Sequence, residues 1–269
     1  MMDKAKIAVI TNDANQVFQQ AVISGLRLVL EPDNLLILDA VGKDEQNLNV
    51  LSIDPIEMDA FIVIANVLSD GALHKLQALG KPITLVSHQV ADLSMPSIRA
   101  DSEDGMRRLV DHLVQCGCRE FVFISGNMKQ VDGVVRRQVF EEHLLRYDLE
   151  LKKTHLLPGD FEVDIAEQSL ETFLQLNLPF DAILASDYLM GVRALEVLKR
   201  HQFDVPHQVC VAGFGDGCEA VSADLTTVSI DIIELGERAG RQLLAQLKGI
   251  ALIGTTFLRT EVICRASSC

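Results

Sequence analysis

An α/β fold with parallel sheets in two lobes is what this sequence predicts, on three observations. The strand candidates are apolar almost end to end: KIAVIT at 6–11, DAFIVIA at 59–65, EFVFIS at 120–125 and DAILA at 181–185. Strands without a wet face belong in sheets covered on both sides, the usual state of parallel sheets. Between them lie helix-length segments with apolar residues three and four apart. The resulting roughly nine to ten β/α steps overfill one open sheet, which argues for two lobes.

Each element follows in order. After the strand at 6–11, Val17–Leu30 is an amphipathic helix with Val22, Leu26 and Leu30 inward. Leu35–Asp39 and the DAFIVIA run are the next strands, and Ser69–Leu79 is a helix stopped by Gly80. Pro82–Ser87 and Ser97–Ala100 are strands. Ser102–Cys116 is a helix with Leu109, Leu113 and Val114 inward. Ser102 stands at its start, and Glu103 and Asp104 suit the positive helix end. The rhythm then repeats. EFVFIS, Thr154–Pro158, DAILA and Gln208–Gly213 are strands, and Val134–Tyr147, Ile165–Leu176 and Leu189–His201 are helices. Asp231–Lys248 is a long helix, and Thr256–Cys264 is one closing strand of alternating character. The lobe break falls near Gly117–Arg119. No Pro/Gly/Ser-rich linker marks it, so short hinge crossings join the lobes.

Composition narrows the function. The net charge is −14, and the basic pairs Arg107-Arg108, Arg136-Arg137 and Lys152-Lys153 are isolated. Duplex DNA needs clustered cations, so this segment by itself is expected to bind DNA poorly. No apolar run approaches membrane-spanning length, and the start, Met1-Met2-Asp3-Lys4, runs directly into a strand with no signal-peptide pattern. A cytoplasmic protein with its six cysteines reduced is the expectation. Cys116-Gly-Cys118 is not a C-x-x-C, and no second Cys/His pair stands at zinc-finger spacing, so no metal is expected. The loop after the first strand, TNDANQ, has no glycine for a dinucleotide. Gly213-Phe214-Gly215-Asp216-Gly217 has no helix signal directly behind it. No Walker or G-x-S-x-G sequence occurs. The chain therefore reads as no enzyme, with no cofactor.

The chain resembles the effector-binding portion of the LacI/GalR family of bacterial regulators. The resemblance is carried, in order, by KIAVITNDANQVFQQAVISGL, MDAFIVI, DSEDGMRRLVDHLVQCGCREFVFISG, VRRQVFEEHL, GDF at 159–161, VPHQVCVAGFGD, LTTVSID and EVICRAS. It implies the periplasmic-binding-protein type I arrangement, two Rossmann-like lobes with three crossings and a ligand cleft. The implied lobes are 1–118 plus 229–252 and 119–228 plus 253–269. Typical members carry a helix-turn-helix headpiece before this region, so DNA contacts are expected only through such a headpiece and not from this segment.

Mapped residue by residue, the resemblance places the site. Arg136 occupies the Arg of the R-x-x-G-F pattern and is either a ligand clamp or a salt-bridge partner; Val139 replaces the pattern's Gly. Asp187 is either a hydroxyl acceptor or a helix N-cap. Tyr188 stands where the family usually has Asp and either stacks on a ring or plugs the cleft. The family's GFD aspartate is Gly215, with Asp216 one residue later. Phe18 matches an aromatic of the first loop, or packs in the core. Asn12 and Asn66 end strands on the expected cleft edge, as contacts or turn formers. Ser87-His88 ends the fourth strand near another contact position.

The expected function is a sensing domain for a small polar metabolite, such as a sugar or nucleoside, in a dimeric LacI/GalR-like regulator. A second form of that reading makes the chain the N-terminal sensor of a larger signalling protein. The alternative is a dimerisation and interaction module whose pocket is degenerate, since Val139, Tyr188 and Gly215 all replace family-typical residues.

Overall fold

The computed structural model describes residues 5–39, 54–65, 67–88 and 95–269. They form two units, one of residues 1–100 with 231–258 and one of residues 101–230 with 259–269. The chain passes from one to the other three times.

The first unit is built on β1 (Ile7–Thr11), β2 (Leu35–Asp39), β3 (Ala60–Ile64), β4 (Ile83–Val86), β5 (Ser97–Ala100) and β11 (Thr255–Leu258). Their order is β11-β5-β4-β3-β1-β2, and every pairing is parallel. Helices α1 (Val17–Arg27), α2 (Asp70–Gln77) and α8 (Ile232–Leu247) belong to this unit. Ser69 caps α2 by accepting from the Ala72 N–H, and Asp231 caps α8 by accepting from the Glu234 N–H at 2.8 Å. Two glycines let α1 and α8 touch backbone to backbone. A Cβ on Gly25 would stand 2.0 Å from the Ile233 carbonyl oxygen, and one on Gly236 2.1 Å from that of Val22.

The second unit holds β6 (Phe121–Ser125), β7 (Leu156–Pro158), β8 (Ala182–Ala185), β9 (Cys210–Phe214), β10 (Thr226–Ser229) and β12 (Glu261–Ile263). The order is β12-β10-β9-β8-β6-β7, parallel except for the β10–β12 pair. Its helices are α3 (Ser102–Gln115), α4 (Val131–Leu144), α5 (Val163–Leu174), α6 (Tyr188–Arg200) and α7 (Cys218–Ser222). Alternation along the strands feeds two cores. Phe121, Phe123, Leu184, Ala212 and Phe214 face α3 and α4 residues such as Leu109, Leu113 and Phe140. Val122, Ile124, Ile183 and Val211 face Leu170, Phe173, Ala194 and Val197 of α5 and α6. Both faces are dry, which is why these strands read as continuous apolar runs.

Several expectations need correction. The lobe boundary lies at 100/101, not 118/119, because Met106, Leu109, Val110 and Leu113 of α3 pack in the same core as Phe121 and Phe140. The predicted strand 256–264 is two strands in two sheets: β11 pairs with β5, whereas β12 runs antiparallel to β10. Residues 253–258 thus belong to the first unit. Asp101, not Ser102, caps α3, accepting from the Asp104 N–H at 3.0 Å. A short helix, α7, does follow the glycine-rich loop. Two of the cysteines expected as thiols, Cys116 and Cys269, are joined in a disulfide. Among the described residues, no helix is long and apolar enough to cross a membrane.

Candidate functional site

In open parallel sheets ligands bind at the carboxyl ends of the strands, and Asn12, Ser87 and Asp187 among the residues singled out from sequence stand at those ends. In the first unit, β1 runs into Asn12. The Asn12 side-chain oxygen accepts from Gln19 Nε2 at 2.6 Å, and its amide donates to Gln16 at 3.4 Å. Gln19 is buried on α1, and its own Oε1 has no partner among the described residues. Phe18, its neighbour, is half-buried. At the ends of β3 and β4, the Ala65 N–H donates to the Val86 carbonyl and the Ser87 N–H to the Ile98 carbonyl, each at 2.9 Å. Both residues then turn left-handed, Ala65 at φ 56° and Ser87 at φ 49°. That conformation costs a residue with a Cβ roughly 1–3 kcal/mol and tends to gather at ligand sites. Ser87 is buried, and so is His88 behind it. His88 Nδ1 is without a partner among the described residues. Burial pushes the His88 pKa down to about 4 against the opposing pull of Asp70, so the ring is neutral. Asn66 lies outside the described residues.

In the second unit, β8 ends at Ser186 and Asp187. The Ser186 hydroxyl is fully buried with no hydrogen-bond partner among the described residues, while its carbonyl accepts from Arg136 Nη1 at 2.8 Å. Arg136 is 8% exposed, and its guanidinium carbon lies 3.9 Å from the centre of the Phe214 ring, a cation–π contact. It also pairs with Asp132, one turn earlier on α4, at 3.9 Å. Asp187 is the N-cap of α6, accepting from the Met190 N–H at 2.9 Å. Burial raises its pKa to about 6; the Met190 bond and the Arg136 charge pull the other way. Arg136, Ser186, Asp187 and Phe214 are thereby assembled at one sheet edge.

Asp216 is held elsewhere. Arg265 grips it with two bonds, Nη1 to Oδ1 at 2.7 Å and Nη2 to Oδ2 at 2.9 Å, and Thr227 Oγ1 donates to Oδ1 at 2.7 Å. The carboxylate is a structural anchor between β9 and the segment after β12.

The two sequence departures at Tyr188 and Gly215 are one packing event. Gly215 has φ +96°, and a Cβ there would stand 2.9 Å from Tyr188 Cδ1; a Cβ on Gly217 would stand 2.4 Å from the Tyr188 hydroxyl. The ring lies across a loop stripped of side chains to receive it. Burial and the neighbouring Glu219 and Asp187 carboxylates push the Tyr188 pKa up, so the phenol stays protonated.

Sequence reasoning missed Gln19, Phe214 and Arg265. Gln19 carried a faint signal as a polar residue on the apolar side of an amphipathic helix. Arg265 carried none, since its partner is 49 residues away.

A family profile described as a periplasmic binding protein-like domain matches residues 110–268. The HTH-type transcriptional regulator CelR of Thermobifida fusca is 30% identical over 172 residues, which is 63% of this chain and 49% of CelR. The HTH-type transcriptional repressor CytR of Escherichia coli is 23% identical over 268 residues, 97% of this chain and 79% of CytR. Among solved structures, the lac repressor dimer bound to operator and the anti-inducer ONPF superposes with a TM-score of 0.87. It shares 18% identity, with 99% of this chain and 95% of that one covered. A CelR–cellobiose complex superposes at 0.86 with 23% identity, covering 97% of this chain and 84% of that one. The chain thus spans about half the length of CelR, and the two structures establish the fold.

Proposed function

We infer function from one premise: the chain belongs to the periplasmic binding protein-like domain family, in the form that LacI/GalR-type transcriptional regulators use as their effector-binding domain. It is a sensing domain for a small polar metabolite, part of a cytoplasmic homodimeric regulator whose DNA contacts are made by a separate element. The observation that carries this reading is the set of buried polar atoms left open at the strand ends. Gln19 Oε1 and His88 Nδ1 in the first unit and Ser186 Oγ in the second have no hydrogen-bond partner among the described residues. A buried polar group without a partner costs roughly 1–3 kcal/mol. A ligand bearing hydroxyl or amide groups removes that cost. Nucleosides and nucleobases fit better than a sugar read through Asp216, because Arg265 and Thr227 already occupy that carboxylate.

A thermal-shift panel of sugars, nucleosides and nucleobases tests this. At least one compound is expected to raise the melting temperature saturably, with the shift reduced in Gln19→Leu and Ser186→Ala. A flat response across the panel would remove the reading.

A flat response would favour the interaction-module alternative. Tyr188 lying over Gly215 and Gly217, together with the locked Asp216, is the observation on its side. In that case sedimentation would still report a dimer, unchanged by any compound.

A further inference from the structure

His112 lies in the last turn of α3 and Cys116, four residues on, is its C-cap in a right-handed helical conformation, so both project from the same face. The segment after β12 runs back towards that face. Ser267 ties it down, its hydroxyl donating to the Val211 carbonyl at 2.7 Å and accepting from the Thr226 N–H at 2.8 Å. The Ser267 carbonyl accepts from the Val211 N–H at 2.8 Å. This anchoring delivers Cys269 to Cys116, with Cα atoms 5.5 Å apart. His112 Nε2 faces Cys116 Sγ at 3.7 Å and Ser268 Oγ at 2.7 Å. On the other side of the ring, Nδ1 faces Cys264 Sγ at 3.5 Å. The donor atoms of His112, Cys116 and Cys269 all lie within 4.8 Å of one another.

We propose that this cluster is a redox-gated site for a thiophilic divalent cation of the zinc class, with His112 Nε2 and the Cys116 and Cys269 thiolates as ligands. Two thiolates and an imidazole are the donor set that zinc selects. Tetrahedral bonds of about 2.3 Å to sulfur and 2.0–2.1 Å to nitrogen put adjacent donors roughly 3.6 Å apart. The His112–Cys116 separation of 3.7 Å already matches that edge. His112 and Cys116 are half-buried and Cys269 is exposed, so an ion can enter and water can fill the fourth position. Cys264 is the outer partner on Nδ1, which keeps Nε2 turned towards the two sulfurs.

The disulfide and the metal site exclude each other. Cleaving Cys116–Cys269 with a small-molecule dithiol reforms two protein thiols and leaves the dithiol oxidised to its cyclic disulfide. The cation then displaces the two thiol protons. Oxidation by a low-molecular-weight disulfide rebuilds the Cys116–Cys269 bond, yields two small thiols and expels the ion.

Cobalt(II) is the probe. The chain is reduced with a dithiol, exchanged into metal-free buffer under anaerobic conditions and titrated with cobalt, then back-titrated with zinc. The reduced chain is expected to take one cobalt, with thiolate-to-metal charge transfer and tetrahedral d–d absorption, and zinc should bleach both. The oxidised chain should show neither. Cys116→Ser, Cys269→Ser and His112→Gln are each expected to weaken binding by more than the roughly tenfold that an outer-shell partner is worth, and Cys264→Ser by about tenfold. Circular dichroism verifies that each variant is folded, and Cys218→Ser is the exposed-cysteine control expected to bind like the parent. A reduced, folded parent without the charge-transfer band overturns the proposal. So does a band that persists in Cys116→Ser and vanishes in Cys118→Ser, which would move binding to the buried Cys118 and Cys210.

Discussion

Both units keep buried polar atoms open near their strand ends, but the second also engages its carboxylates and the Tyr188 ring within the protein itself. Gln19 Oε1 and His88 Nδ1 have no partner among the described residues, and Ala65 and Ser87, at the ends of β3 and β4, are left-handed. In the second unit Asp187 caps a helix, Asp216 is gripped by Arg265, and Tyr188 fills the space over Gly215 and Gly217. The second unit nevertheless has open atoms of its own: Ser186 Oγ, Ser102 Oγ and Glu219 Oε2 have no partner among the described residues. Unsatisfied buried groups and strained backbone are costs that a fold retains where something else is to bind. Both units carry such features, since Asp160 at φ 52° and Phe161 at φ 61° follow β7 in the second; the comparison teaches that what sets the second unit apart is that its carboxylates and the Tyr188 ring are already engaged by the protein.

The comparison breaks most visibly at Arg265. Arg265→Ala strands the Asp216 carboxylate in a site where both side chains are mostly buried, and should cost about 3–5 kcal/mol in denaturant unfolding. Arg265→Met with Asp216→Asn should recover most of that. A cost below about 1 kcal/mol would mean that Asp216 is free to meet a ligand, and the contrast between the units would fail.

Restoring the family aspartate is the next test. Gly215→Asp forces a Cβ into Tyr188 at φ +96° and should cost about 2 kcal/mol or more. Combined with Tyr188→Ala, the loss should be smaller than the sum by about 1 kcal/mol, measured as a double-mutant cycle. Simple additivity would mean that the two departures are unrelated.

Titration sharpens the contrast because the two units carry opposite signs. His88 has a folded pKa of about 4 against 6.5. Its contribution is complete above pH 6.5 and is lost as pH falls towards 4. Asp187 has a folded pKa of about 6 against 3.8. Its contribution is complete below pH 3.8 and is lost as pH rises through 6. His88→Gln should flatten the acid side of the stability profile. Asp187→Asn, which still caps α6, should flatten the rise-side loss and gain roughly 2 kcal/mol near pH 7. Unchanged profiles in both variants would show that neither group is perturbed. The smallest effect is at Ser87: Ser87→Gly should relieve the left-handed turn and stabilise by about 0.5 kcal/mol net of chain entropy, whereas Ser87→Val should destabilise.

Much of this was legible in the residues. The apolar runs at 59–65 and 120–125 became β3 and β6 because a strand buried on both faces needs apolar side chains in both registers. Asp187 was legible as a cap or a contact, and the cap is what forms. The boundary near Gly117 was misread because the α3 stripe of Leu109 and Leu113 states that a face is buried but not against which sheet. The two halves of 256–264 were misread for a related reason. Alternation marks a strand, and only pairing shows that β11 and β12 join different sheets.

The sequence by itself determined the α/β class, most of the strands and helices and the polar sets at the strand ends, because these depend on local periodicity and on residue chemistry. Tertiary structure alone decided which of those polar groups remain open. Arg265 reaches Asp216 across 49 residues, and Cys269 reaches Cys116 across 153. Such pairings are set by how the sheets close and where the last segment is tied down, and no local pattern encodes that distance. Of the three residues singled out as family departures, Val139 is buried in the core that holds Leu109 and Leu113 of α3, while Tyr188 and Gly215 turned out to need each other, a dependence visible only once the ring and the loop are in contact.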